Sequence, residues 1–182
     1  MAKITPEPNL PPTIEFRSLK PFDRYEVKNL YARRVGLGIS NTLDHVFDPE
    51  VSVEGIAATK GEHIIGFAIL WFLDADGVSA YFNESTSGYP IGDVNAVFHG
   101  LAVAKDWENR GIGSELTRHR LIMARDAVEA DAAFGNAWLR PHTADSSLLF
   151  EKYGFKRLET IKRYFQKYSS DRECPDCTPS PC

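Results

Sequence analysis

Between Leu101 and Leu116 the chain reads Leu-Ala-Val-Ala-Lys-Asp-Trp-Glu-Asn-Arg-Gly-Ile-Gly-Ser-Glu-Leu. An apolar strand runs into a polar turn, Glu108 to Ser114, and then into the start of a helix. Glycine lacks a Cβ, so Gly111 and Gly113 let the backbone turn sharply and approach a bound group closely. The first N–H groups of a helix have no intrahelical acceptor, and the macrodipole leaves partial positive charge there. The main-chain amides of Asn109, Arg110, Gly111, Ile112, Gly113 and Ser114 are therefore a candidate phosphate seat. Arg110 lies inside the turn and adds a full charge.

Two familiar glycine-rich seats do not fit. A nucleotide-hydrolysing P-loop needs Gly-Lys-Ser/Thr, and here Ser114 follows Gly113 directly. A dinucleotide fold wants a third glycine three residues after Gly113, where Leu116 stands. A second cluster of reactive types closes the chain: Cys174, Cys177 and Cys182. Cys174-x-x-Cys177 is half of a zinc knuckle, with Cys182 as a third thiolate, and a structural site needs a fourth ligand from a histidine or a second chain. The alternative is a tail of free thiols. A redox pair is disfavoured, because a proline-rich tail offers no helix N-terminus to activate a thiol.

The elements that must hold the glycine turn follow from periodicity. Residues 1–12 carry Pro6, Pro8, Pro11 and Pro12 and read as an extended arm. Thr13 to Leu19 alternates as a first strand. Pro21 opens a helix that Gly36 and Gly38 end, and residues 39–50 hold a second, short helix. Val51 to Thr59 and His63 to Leu73 are strands joined by a tight turn. Residues 74–93 read as a long connection interrupted by Val78 to Phe82, of a length often functional. Asn95 to Ala104 is the strand before the glycine turn. Ile112 to about Asp131 is a long helix, Ala133 to Arg140 a strand, Thr143 to Tyr153 a short helix, and Phe155 to Tyr168 a last strand. Hairpins first and crossover helices later imply an α/β fold of the α+β kind. Its sheet is mixed, mostly antiparallel, with helices on both faces. The domain spans 13–168, followed by the cysteine-containing tail 169–182.

The chain has 182 residues, enough for one domain with a proper core. Its formal net charge is −4, and no basic run interleaved with aromatics suggests nucleic acid. The longest apolar run, Ile64 to Leu73, is about half the length of a membrane-spanning helix. The N-terminus lacks a signal-peptide core, and all cysteines lie in the last nine residues, so a cytoplasmic location is the default expectation.

The glycine turn resembles the acyl-coenzyme A motif of the GNAT-type N-acetyltransferase superfamily, Gln/Arg-x-x-Gly-x-Gly/Ala after a Leu-x-Val strand. The matching residues are Leu101, Val103, Glu108, Gly111 and Gly113; Glu108 stands where the family has Gln or Arg. Leu148-Leu-Phe-Glu-Lys-Tyr-Gly-Phe155 resembles the family's Leu-Tyr-x-Lys-x-Gly-Phe, with Phe150 in place of the tyrosine. The resemblance covers residues 13–168 and implies a GNAT-like sheet splayed between strands 4 and 5. It implies acetyl-CoA as cosubstrate, its diphosphate on residues 108–114. Its pantetheine would lie along the backbone of Leu101, Ala102 and Val103, with Trp138 to Arg140 opposite. The activity implied is acetyl transfer to a small-molecule or peptide amine, without membrane or nucleic-acid partners; a homodimer is left open. A catalytically inactive acyl-CoA-binding module is the alternative, for which Phe150 speaks.

Such a transfer needs a base for the amine and benefits from an acid for the thiolate. Strict alternation places Asn95, Val97, His99, Leu101 and Val103 on one face of their strand, and Ala96, Phe98 and Ala102 on the other. His99 is the candidate base, since imidazole accepts a proton near neutral pH; a histidine that merely orients the strand is the alternative. Glu54 and Glu84 are weaker candidates, and His142 could contact cofactor or substrate. With phenylalanine at 150, Tyr153 is the candidate acid, followed by Tyr81 and Tyr89. A thiolate can also leave unaided, its ordinary pKa being about 8.5. Asp44, Asp48, Glu50, Asp74, Asp76, Glu84 and Asp93 would either attract a cationic amine or form a solvated acidic surface.

Overall fold

The computed structural model describes residues 11, 13–35, 40–48, 51–82, 86, 88–139 and 146–161. Five strands form one sheet in the order β1-β2-β3-β4-β5. These are β1 (Ile14–Ser18), β2 (Val53–Lys60), β3 (His63–Leu73), β4 (Asn95–Val103) and β5 (Ala132–Gly135). The first three pairings are antiparallel and β4 with β5 is parallel. The antiparallel pairs come from chain reversals as short as Gly61-Glu62, and the parallel pair needs the crossover that α3 (Ile112–Ile122) supplies. The expected mixed sheet with helices on both faces is therefore present.

One face carries α1 (Arg24–Val35) and a 3-10 segment, Ser40–Phe47. Val27, Leu30, Tyr31 and Leu43 pack there on Phe67, Ile69 and Ala102. On the other face Ile112 and Leu116 of α3 lie on Ile56, Ala58, Ile65 and Ala68. Beside them, a cluster of Phe150, Tyr153, Leu121 and Ala124 covers Leu70, Ala96 and Phe98; it draws on α4 (Ser146–Lys152). With both faces covered, β3 reads as a continuous apolar run rather than an alternation.

Four expectations are corrected. Ala75–Phe82, expected as loop, is a helix, α2. Asp74 caps it, accepting the N–H of Gly77 at 2.7 Å, and Val78 and Phe82, four residues apart, bury against Val97 and Phe134. The long helix ends at Ile122 and continues only as a π turn, Met123–Ala127, and the strand after it is just Ala132–Gly135. Over residues 155–161 no strand forms; Phe155 instead packs its ring on Phe98 and Phe150. The rest of that expected strand, the N-terminal arm to residue 10 and the cysteine tail lie outside the described residues. Among the described residues no helix is long and apolar enough to cross a membrane.

Candidate active site

The site begins where β5 leaves β4. The two strands pair only from Asn95–Ala132 to Phe98–Gly135. From His99 to Val103 that edge of β4 meets no described strand. The N–H of Ala104 donates to the carbonyl of Ile65 at 2.8 Å, so backbone groups of Ala102 and Gly100 also face β3. By the period of two, the N–H and C=O groups of Leu101 and Val103 face the open edge. At the vertex of the split stands Gly135. A Cβ there would lie 2.7 Å from Phe150 Cζ, so only glycine lets the Phe150 ring close the bottom of the wedge. Phe150 is itself buried against Phe98 and Phe155.

The open edge leads through a short 3-10 turn, Lys105–Trp107, to the glycine turn. Asn109 has φ 59°. Gly111 caps α3 with φ 87° and ψ −7°, a left-handed conformation natural to glycine. No side chain caps the helix, so its first-turn amides remain available to a ligand. Cations gather around this positive helix end. Lys152 donates to Ser114 Oγ at 3.2 Å. Arg110 and Lys60 each lie 4.9 Å from the Trp107 ring. The carboxylate of Glu108, the departure from the family pattern, is engaged by Arg34 of α1. Cations at a helix N-terminus are unfavourable by themselves and become favourable with an anion between them. Amides, cations and open strand edge together fit the diphosphate and pantetheine of an acyl-CoA.

His99 sits at an irregularity in β4. Ile69 pairs with Gly100 but Leu70 pairs with Phe98, so His99 is an extra residue, a β-bulge. The bulge breaks the expected alternation. Leu101 and Val103 pack toward α3, while His99 meets Tyr81 of α2 and Trp71 on the opposite face. The Tyr81 hydroxyl and His99 Nδ1 share a hydrogen bond of 2.7 Å. Nε2 of His99 and Nε1 of Trp71 are buried with no partner among the described residues. Burial, then the charges of Arg120 and His45, pulls the imidazole pKa from 6.5 down to about 4, so His99 is neutral at pH 7.

Tyr153 is fully buried and its hydroxyl donates to the carbonyl of Ser114 at 2.6 Å, which braces the first turn of α3 against α4. Among the acidic residues, Asp44 is paired with Lys28 at 2.7 Å and Asp74 caps α2. Glu50, Glu84 and His142 lie outside the described residues, as do Cys174, Cys177 and Cys182. Among the described residues no group of three or more His, Cys, Asp or Glu could hold a metal.

Three residues near the site were missed in the sequence: Trp71, Lys152 and Arg120. Trp71 carried no local signal, whereas Lys152 stands at the lysine of the Leu-Tyr-x-Lys-x-Gly-Phe segment and was passed over. Arg120 carried one too: it lies four residues after Leu116, itself four after Ile112, on the buried face of α3.

The family profile described as an acetyltransferase (GNAT) domain matches residues 52–157, more than half of the chain. A search of curated proteins found no match to the sequence. Solved structures share the fold at low identity. A transcriptional regulator from Bacillus halodurans C-125 has a TM-score of 0.61 and 18% identity, over 81% of this chain and 96% of its own. A ribosomal-protein-alanine N-acetyltransferase from Brucella melitensis biovar Abortus 2308 has a TM-score of 0.58 and 16% identity, over 81% and 96%. An aminoglycoside N-acetyltransferase in complex with CoA has a TM-score of 0.60 and 11% identity, over 81% and 91%. With the wedge between β4 and β5 and the uncapped glycine turn in place, the chain belongs to the GNAT acetyltransferase family.

Proposed function

We propose that this chain transfers an acetyl group from acetyl-CoA to a primary amine by direct attack on the thioester. The observation that carries this reading is the open edge of β4, continuous with the uncapped N-terminus of α3 between Arg110 and Lys152. When bound, acetyl-CoA supplies an activated acyl group, whose C–S bond is exchanged for a C–N bond as the amine loses a proton and the thiol leaves.

The chain's own residues divide the remaining work. Amides of residues 109–114 hold the diphosphate, and Arg110 and Lys152 neutralise it. The backbone of Leu101 and Val103 orders the pantetheine by adding to the sheet edge, and Phe150 closes the wedge and excludes water. An imidazole held at about 4 cannot store a proton at pH 7. His99, its ring fixed by Tyr81, therefore takes the amine's proton only in passing, through water, and returns it to solvent, from which the departed thiolate is protonated to the free thiol of CoA. Tyr153 supports the seat, since its hydroxyl already donates to the main-chain carbonyl of Ser114. The thiolate then leaves without an acid, as its modest basicity allows. Positioning supplies much of the acceleration. Family membership favours transfer over the inactive binding module.

The test is thiol release from acetyl-CoA with a panel of primary amines: polyamines, aminoglycosides, amino acids and peptides with free N-termini. Amine-dependent release that His99→Ala slows supports the reading. Tight CoA binding with no release for any amine would overturn it.

A further inference from the structure

Arg120 is the largest fully buried side chain of the described residues, 1% exposed. Its Nη1 donates to the carbonyl of Ile69 at 3.2 Å and lies 3.5 Å from that of Gly100. Nη2 donates to Thr117 Oγ1 at 3.3 Å, and the guanidinium carbon lies 4.4 Å over the Phe98 ring. Ile69 and Gly100 are the pair that flanks the bulge. The guanidinium thus reaches from α3 to the point where the β3–β4 ladder slips, one residue beyond the last β4–β5 pair. No carboxylate among the described residues pairs with it. Burial pulls its pKa to about 9, which still leaves it charged at neutral pH.

Taking a cation out of water without a paired anion is strongly unfavourable. A neutral donor could serve the same carbonyls without that cost. The charge therefore calls for a role beyond plugging the bulge. The Gly100 carbonyl faces β3 and Arg120, and across the same peptide bond the N–H of Leu101 faces the open edge. A cation at one end of a peptide group polarises the other end, more so where water is excluded.

We infer that Arg120 is a positioning residue of acetyl transfer: it braces the β4 bulge and polarises the Gly100–Leu101 peptide, so that Leu101 N–H becomes a stronger donor to the acyl carbonyl. This rests on the proposed function for its link to catalysis, and on the geometry alone for the polarisation. Donors aimed at a carbonyl oxygen that gains charge in the transition state usually lower the barrier more than any other feature of such a site. Arg120 touches no substrate; it acts through the Leu101 amide.

Two variants separate charge from mere plugging. Arg120→Gln keeps donors but loses the charge; Arg120→Lys keeps the charge. For folded Arg120→Gln, kcat should fall by about ten- to a hundredfold, with KM for acetyl-CoA little changed because the phosphate seat is untouched. In nuclear magnetic resonance spectra the Leu101 amide proton should move upfield and the His99 imidazole should titrate at higher pH. Arg120→Lys should restore both signals toward wild type and recover most of kcat. A folded Arg120→Gln with unchanged kcat, Leu101 and His99 signals would overturn the inference. If Arg120→Gln does not fold, Arg120→Lys decides alone: Leu101 and His99 signals far from wild type in a folded protein overturn it. If the wild type acetylates no amine, the proposed function fails, and the two signals still judge the polarisation.

Discussion

The burial of His99 has a consequence for stability that can be worked from its surroundings. In the unfolded chain its imidazole titrates near 6.5; in the folded protein burial and the neighbouring Arg120 and His45 hold it at about 4. Between these values the unfolded chain binds a proton that the folded protein does not. Stability must therefore fall as pH drops from about 6.5 to about 4, and be independent of His99 above that window. Each pH unit inside the window is worth about 1.4 kcal/mol, so the full loss across its roughly 2.5 units is about 3 kcal/mol or slightly more. The perturbation is His99→Gln, which removes the titrating ring. Near pH 7 the variant should be less stable by about 1 kcal/mol or more, from the lost Tyr81 hydrogen bond and packing. On acidification that deficit should shrink, and by pH 4 it should vanish or reverse. Urea titrations of both proteins at half-unit intervals from pH 7.5 to 4 measure the difference directly. Two curves that run parallel across the window would refute the reasoning, because they would mean that the ring charges in the folded state as easily as in water.

Other consequences follow from single residues. Gly111→Ala forces a Cβ into a left-handed backbone (φ 87°), which should cost about 1–2 kcal/mol; thermal melting should register a loss of several degrees, together with weaker CoA binding. Asp23 is 4% exposed and accepts two bonds from Arg17, at 2.6 and 2.8 Å, and one from the Lys20 N–H at 2.7 Å. Asp23→Ala should cost about 2–3 kcal/mol in urea unfolding without changing KM for acetyl-CoA. Phe150→Tyr places a hydroxyl at the bottom of the wedge. If the thiolate leaves unaided in the wild type, this variant should raise kcat in the thiol-release assay; a lower kcat with intact CoA affinity would show that the wedge needs an apolar floor.

The first four strands and the glycine turn were legible because their signals are local. Apolar runs bounded by Gly61 and by Asp74, and glycines at 111 and 113, fix elements without reference to the rest of the molecule. α2 was misread because Gly77 and the surrounding serines suggested a loop. The correct cue was Asp74, three residues before an N–H that needed capping. The face of His99 could not be read from alternation, since a bulge depends on how β3 registers against β4 and not on β4 alone. Tyr153 looked like an acid by its place near the tyrosine position of the motif. Its proton partner is a main-chain carbonyl 39 residues away in sequence, which no spacing reveals. The same holds for Arg120 and its contacts with Ile69 and Gly100.

The central claim is that main-chain amides at the head of α3, with the edge of β4, grip a CoA thioester. Calorimetric titration of the purified protein with acetyl-CoA tests it most directly, with folded Gly113→Trp alongside. A Cβ at Gly113 points toward Leu101, Leu149 and Val103 at 3.7–3.9 Å, so an indole there must fill the cleft. Saturable one-to-one binding by the wild type, abolished in the variant, is the result expected. No binding by the wild type, or equal affinity in the variant, would contradict the account.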